Sequence, residues 1–261
     1  MSVSFTARPV AVYKPLQESV KKSLTVYELE PRDLYFLAKY QKKMGKDPFL
    51  KEKMPVHSAM ISWTLDSIVR SLKIKDKFKV NDKSVAYAAV SDGKITAIIQ
   101  GNVPRIDIKN DKIVYSTRNK KNETELEWLT TIPRENKEIP RYSAPAVVAE
   151  LFNHLKDLAS KPKSIYVRSE VQETFKQAVE FYQKMGFKKV SDKNISWSTP
   201  KDPLPLSAFL MADSFAYASD LTTPMAISMK KAVKSFESVA NKFQRKAVEN
   251  PQSIDLGEVV K

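Results

Sequence analysis

The side chains that most often carry enzyme chemistry are scarce in this chain of 261 residues. It has no cysteine, which excludes disulfides, thiolate nucleophiles and cysteine-ligated zinc or iron–sulfur centres. Its two histidines, His57 and His154, lie 97 residues apart and are too few for a His-rich metal centre. No Gly-x-Ser-x-Gly elbow supports a serine hydrolase. Positive charge is what the chain has in excess: 44 Lys and Arg against 30 Asp and Glu, a net +14. Such a balance suits anionic partners, either nucleic acid or a small polyanion such as a nucleotide-bearing cofactor. Only nine of the basic residues are arginine, and the densest lysine run, residues 73–79, is interrupted by Asp76. Nucleic-acid surfaces concentrate Arg and Lys and interleave aromatics for stacking. Composition therefore points to a solvated lysine-rich surface, with no nucleic-acid partner expected.

The longest apolar stretch, residues 206–218, contains Asp213 and falls short of the roughly 20 residues that span a bilayer. Residues 1–15 lack the basic start and apolar run of a secretory signal. A cytoplasmic protein with no membrane partner is the expectation.

The elements that must position any site follow from periodicity. Residues 23–29 read as a strand, and Leu34, Leu37, Ala38 and Gln41 recur at helical spacing before the stop at Gly45. A second helix is expected over 58–72. The clearest hairpin has arms 85–90 and 95–101 around Asp92-Gly93, a tight-turn dipeptide. Residues 106–115 suggest a smaller hairpin, and 125–132 a strand ending at Pro133. A helix over 143–158 carries Val147, Val148, Leu151, Leu155 and Leu158 on its apolar side. A short strand at 164–167, a helix over 174–185 stopped by Gly186, and closing strands at 187–190 and 195–198 complete a mixed α/β sheet with a central βαβ unit.

After Pro200 the character changes. A linker at 201–205 precedes a short apolar helix over 207–219, and Thr222 or Thr223 followed by Pro224 reads as the start of a longer helix. On it Met229, Val233, Phe236, Ala240, Phe243 and Ala247 alternate in steps of four and three, a seam that must be buried. Docking on the parent domain or a homodimer through this helix would each bury it. The expected division is a domain over 1–200 and a linker with helical extension over 201–261.

Residues 178–187, Ala-Val-Glu-Phe-Tyr-Gln-Lys-Met-Gly-Phe, carry the pattern A-x-x-F-Y-x-x-x-G-F. This resembles the last helix and following strand of the GNAT N-acetyltransferase family, and the preceding elements fall in the order that fold requires over about 24–200. The resemblance implies a GNAT-like acyltransferase fold that uses acetyl-CoA, or another acyl-CoA, as cosubstrate. It makes Tyr182 the residue that protonates the departing thiolate, a step a phenol of pKa about 10 suits. It also places a pyrophosphate loop at Arg141, Tyr142, Ser143, Ala144 and Ala146, where backbone N–H groups and a helix N-terminus cradle a diphosphate. Both loop glycines of the family are alanines here, Pro145 brings no N–H, and Phe175 stands where many members have asparagine. The strand main chain at Leu129, Thr130, Thr131 and Ile132 would hold the pantetheine arm. Glu127, or Glu125 beside it, is the candidate general base on that strand. The acceptor is an amine, of a small molecule or a protein. The competing reading is a catalytically inactive binding module on the same fold.

Overall fold

The computed structural model describes residues 7–15, 23–78, 84–102, 106–109, 112–115, 123–133, 142–158, 161–170, 176–190, 222–252 and 254–260. The first half of the chain contains β1 (Arg8–Tyr13), β2 (Leu24–Glu28), α1 (Leu34–Met44), α2 (Pro48–Lys53), α3 (Pro55–Phe78), β3 (Ser84–Ser91), β4 (Lys94–Asn102), β5 (Ile106–Lys109), β6 (Lys112–Tyr115) and β7 (Glu123–Thr131). Then come α4 (Ser143–Asp157), β8 (Ser164–Glu170), α5 (Lys176–Lys184), β9 (Lys188–Lys189), β10 (Thr222–Ser228), α6 (Met229–Lys242), β11 (Lys246–Ala247) and α7 (Leu256–Val259). The chain sorts into two compact units, one of Met1–Val103, Leu126–Leu158 and Val233–Lys261, the other of Pro104–Glu125 and Ala159–Ala232.

In the first unit the strands run in the order β11-β1-β2-β3-β4-β7, and each pairs antiparallel with its neighbour. The β3–β4 hairpin forms as its turn residues dictate, with Asp92 at φ 51° and Gly93 at φ 66°. Residues 85–91 are buried on both faces of β3, because helices cover both sides. Ala86, Ala88 and Val90 share an apolar cluster with Leu37 of α1 and Ile61, Leu65 and Ile68 of α3. On the opposite face Tyr87 meets His154 of α4 edge-on. A methyl added to Gly101 would come within 2.9 Å of both Leu151 methyl carbons, so Gly101 lets α4 lie close to β4. Gly101→Ala is expected to cost about 1–3 kcal/mol by overpacking, read as a lower urea midpoint.

The α3 helix starts three residues earlier and ends six residues later than the apolar spacing predicts, since no Gly or Pro interrupts residues 56–78. Ahead of α1, a 3-10 turn at Pro31–Asp33 buries Asp33 completely. The Asp33 Oδ2 accepts from Glu30 N–H at 2.7 Å. Its Oδ1 has no hydrogen-bond partner among the described residues. Burial pushes the carboxyl up to about 7, the Glu30 and Asp255 charges add to this, and the Glu30 N–H opposes it. The folded protein thus keeps a proton that the unfolded chain releases near pH 4, so this group's contribution to stability falls as pH rises from about 4 to 7 and is level above. Asp33→Asn, which preserves an acceptor for Glu30, is expected to flatten that slope. Denaturation at pH 5 and pH 8 checks it, and an unchanged difference between the two pH values would refute it.

The chain end closes this unit. The β11 strand pairs with β1, Ala7 and Ile254 bridge through two backbone bonds of 2.7 and 2.9 Å, and Leu256 and Val260 enter the core. On α6 the buried residues are Met229, Ala232, Phe236 and Val239, while Ala247 of the expected seam lies exposed in β11. Phe236 and Phe243 find partners within the unit: the Lys156 ammonium and the Arg245 guanidinium lie over the Phe236 ring, and Tyr142 stacks on Phe243.

In the second unit the order is β7-β8-β10-β9. The β7 strand pairs parallel with β8 at three positions only, Glu123 to Glu125 against Ser164 to Tyr166. The β10 strand pairs antiparallel along the whole of β8. This corrects the helix expected from Thr222: residues 222–228 are a strand, and α6 begins at Met229. Thr-Thr-Pro imitates a helix start, but the β-branched run with Met225 and Ile227 buried at alternate positions suits a sheet. Pro224 is tolerated because the β9 ladder ends there, where its carbonyl accepts from Val190 N–H at 3.0 Å. The closing strand expected over 187–190 is only Lys188–Lys189. β5 and β6 form the small hairpin expected over 106–115. The calls on 195–198, 201–205 and 207–219 lie outside the described residues, as do Arg141 and Phe175.

Candidate functional site

The N-terminus of α4 presents donors that the helix itself does not satisfy. Its first intrahelical bond runs from Ala146 N–H to Tyr142 C=O at 2.9 Å, so the N–H groups of Ser143 and Ala144 have no acceptor within the helix. Tyr142 provides no side-chain cap, and the first turn holds no acidic residue. Ser143 is fully buried, and its Oγ has no hydrogen-bond partner among the described residues. Pro145 adds no donor. Ala144 and Ala146, in place of the family's glycines, adopt no positive φ and carry no strain. Two amides without helical acceptors, a positive helix end and a hydroxyl with no partner among the described residues form a donor set that suits a phosphate oxygen. Tyr142 is held for a different purpose. It is buried, its ring stacks on Phe243 at 5.2 Å, and burial raises its phenol, with the Asp92 charge adding.

The strand that precedes this helix is irregular where the candidate base falls. Gln100 opposes Trp128 while Gly101 opposes Leu126, so Glu127 is the extra residue of a β-bulge. Its side chain lies outside the described set. From 126 to 130 the β7 backbone pairs only with β4 among the described residues. Thr130 is buried, with its hydroxyl on the Thr131 carbonyl at 3.4 Å. Ile132 has committed its N–H to the Thr96 carbonyl at 3.0 Å, so of the four expected pantetheine contacts it offers a carbonyl only.

Tyr182 belongs to the second unit. Its ring is 6% exposed and packs edge-on against Phe181 and Phe187 at 5.2 and 5.4 Å. Its carbonyl accepts from Phe187 N–H, and Gly186 N–H reaches Gln183, both at 2.9 Å. With Gly186 at φ 94°, this is a Schellman motif that fixes where the Tyr182 turn ends. Leu129, Thr130, Thr131, Ile132, Tyr142, Ser143, Ala144 and Ala146 fall in the first unit.

One charged cluster escaped the sequence reading. Glu150, buried in mid-α4, receives Arg245 Nε at 2.7 Å and Nη2 at 3.0 Å on its two oxygens, and Tyr13 O–H at 2.5 Å. Burial and the Glu150 charge raise Tyr13 far beyond the ordinary phenol range, which keeps it a donor. Burial lowers Arg245, but the bonds and charge of Glu150 more than offset this. The one available signal was a carboxylate in a segment, residues 146–152, that is otherwise apolar. Both carboxylate oxygens accept hydrogen bonds from side chains of the fold itself, so the cluster is structural. Among the described residues no group of three or more His, Cys, Asp or Glu could hold a metal ion, and no helix is long and apolar enough to cross a membrane.

No family model and no curated protein matches this chain. Solved structures do resemble it. The PaiA N-acetyltransferase of Thermoplasma acidophilum, in complex with coenzyme A, is 12% identical over 78% of this chain and 98% of its own, at a TM-score of 0.44. An uncharacterized protein of Bacillus halodurans is 14% identical over 90% and 100%, at 0.46. The spermidine N-acetyltransferase of Vibrio cholerae, in complex with coenzyme A and spermine, is 12% identical over 80% and 98%, at 0.42.

Proposed function

We propose that this protein is an acyl-CoA-dependent N-acyltransferase, with acetyl-CoA as the donor and an amine as acceptor. The observation that carries this reading is the α4 N-terminus, where a fully buried Ser143 hydroxyl without a partner among the described residues stands beside two amides lacking helical acceptors. Unsatisfied buried donors at a helix start suit a phosphate ligand. When bound, the cosubstrate would supply the acyl group as an activated thioester.

The chain's own residues divide the remaining work. Ser143 and the amides of Ser143 and Ala144 would bind the diphosphate, with Arg141 as a counter-charge. The backbone of Leu129, Thr130 and Thr131 would orient the pantetheine arm. Glu127 would take the proton from the incoming amine, and Tyr182 would give its phenolic proton to the leaving sulfur.

Calorimetric titration with acetyl-CoA tests the proposal. Micromolar binding that falls at least tenfold in Arg141→Glu supports it. No detectable heat with the folded protein overturns it in favour of the inactive module, the reading that Pro145 and the packed Tyr182 ring favour.

A further inference from the structure

The end of α6 is a Schellman motif with an unusual residue at its centre. Arg245 N–H reaches Ala240 C=O at 2.8 Å and Gln244 N–H reaches Asn241 C=O at 3.4 Å, the pair of bonds that defines this helix stop. Gln244 adopts φ 43°, the left-handed position that glycine normally fills. A side chain persists in such a conformation only where its surroundings hold it there.

The residues on either side of Gln244 supply that hold, and both of them grip α4. The Phe243 ring lies on the Tyr142 ring, with 5.2 Å between centroids and 26° between planes. Arg245 places Nε and Nη2 on the two oxygens of Glu150. Tyr142 is the residue that precedes α4, and Glu150 lies about two turns along it. Residues 243 and 245 therefore take hold of one helix at its start and at its middle. The same segment is fastened to the sheet edge, where Phe243 C=O accepts from Lys14 N–H at 2.8 Å and β11 pairs with β1. Every one of these residues belongs to the first unit.

The grip at the start matters because α4 lacks the usual cap. An N-cap residue is ordinarily extended, and its side chain accepts from an amide of the first turn. Tyr142 does neither: its backbone stands at φ −96° and ψ 1°, and its side chain makes no cap bond. Its carbonyl opens the helix by accepting from Ala146 N–H, so the Tyr142 backbone sets the direction in which the Ser143 and Ala144 amides leave the helix end. The Arg245–Glu150 pair docks the body of α4; the stacked ring bears on its end.

We infer that Phe243 is a positioning residue for acyl-CoA binding, its ring holding Tyr142 so that the first amides of α4 stay aimed at the diphosphate. This rests on the acyl-CoA reading proposed above, and it makes the C-terminal segment a working part of that site. Donors that are already ordered bind an anion without a further entropic cost, so loosening them lowers affinity and leaves the later proton transfers untouched.

Calorimetry of the full chain with acetyl-CoA, alongside turnover at saturating acetyl-CoA, tests the inference. Phe243→Ala should weaken binding about tenfold while turnover stays within about twofold. Phe243→Tyr and Phe243→Trp, which keep a ring to stack, should restore the affinity. Phe243→Leu keeps apolar bulk without a ring; it should weaken binding several-fold, and it carries the test if the alanine variant does not fold. The control is Leu256→Ala, a fully buried residue of the cluster that α1 and α3 form, which should lower the melting temperature and leave the affinity within about twofold. The Lys242 ammonium lies 5.4 Å from the centroid of the Phe243 ring, so Lys242→Gln separates stacking from charge. The inference is overturned if Phe243→Leu binds as wild type does, if the aromatic replacements fail to restore binding, if Leu256→Ala loses as much affinity, or if Lys242→Gln reproduces the Phe243→Ala loss. Absence of binding by the wild-type protein overturns the acyl-CoA reading and this inference with it, whereas each of the other outcomes removes the role of Phe243 alone.

Discussion

Glu150→Ala is expected to lower the unfolding free energy by about 3 kcal/mol, because it strands a largely buried guanidinium. Arg245 is 15% exposed at its side chain and makes two bonds to this one carboxylate, while Tyr13 loses the acceptor for its hydroxyl at the same moment. Urea denaturation reads the loss as a lower midpoint at an unchanged slope. Glu150→Gln should fall between alanine and wild type, since an amide can still accept from Arg245 but carries no charge. The triple change Glu150→Leu, Arg245→Met and Tyr13→Phe should recover most of the loss, because well-packed apolar replacements avoid the desolvation that ion pairs incur. If the alanine variant loses less than 1 kcal/mol, the cluster is not the buried ion pair described above.

Tyr182→Phe is expected to reduce turnover about a hundredfold while leaving acetyl-CoA affinity within twofold. The phenylalanine ring preserves the edge-on packing against Phe181 and Phe187, and the Schellman bonds use the backbone of residue 182, not its side chain. The variant should therefore keep its ring packing and its helix stop while losing the proton. Free-thiol release from acetyl-CoA across a panel of amines measures turnover, and calorimetry measures affinity. Unchanged turnover would remove Tyr182 from the mechanism and leave it as core, the role its burial already supports.

Much of the local structure was written in the residues themselves. Asp92-Gly93 specifies a turn with positive φ, and the strands on either side pair as the alternation requires. Gly186 behind Met185 specifies where α5 stops, and Pro145 behind Ser143 and Ala144 marks the first turn of α4. Where the reading failed, one local signal had two uses. Thr222-Thr223-Pro224 is as good a helix start as it is a strand entry, and the choice fell to β8, which offers a complete antiparallel edge. Residues 8–13 gave no strand signal worth naming, yet β1 forms because β2 and β11 take its two edges.

The sequence alone determined what is excluded and what is local: no thiol chemistry, no His-rich metal centre, the turns, the helix stops and the alternation of each strand. Those follow from side-chain chemistry and from φ/ψ preferences that a residue carries wherever it sits. Only the tertiary structure decided which donors go unanswered and which charges meet. Ser143 lacks a partner among the described residues because of what surrounds it, and Glu150 is an ion-pair partner because residues 13 and 245 arrive beside it. Desolvation and pairing depend on neighbours distant in the chain, and no local pattern encodes those.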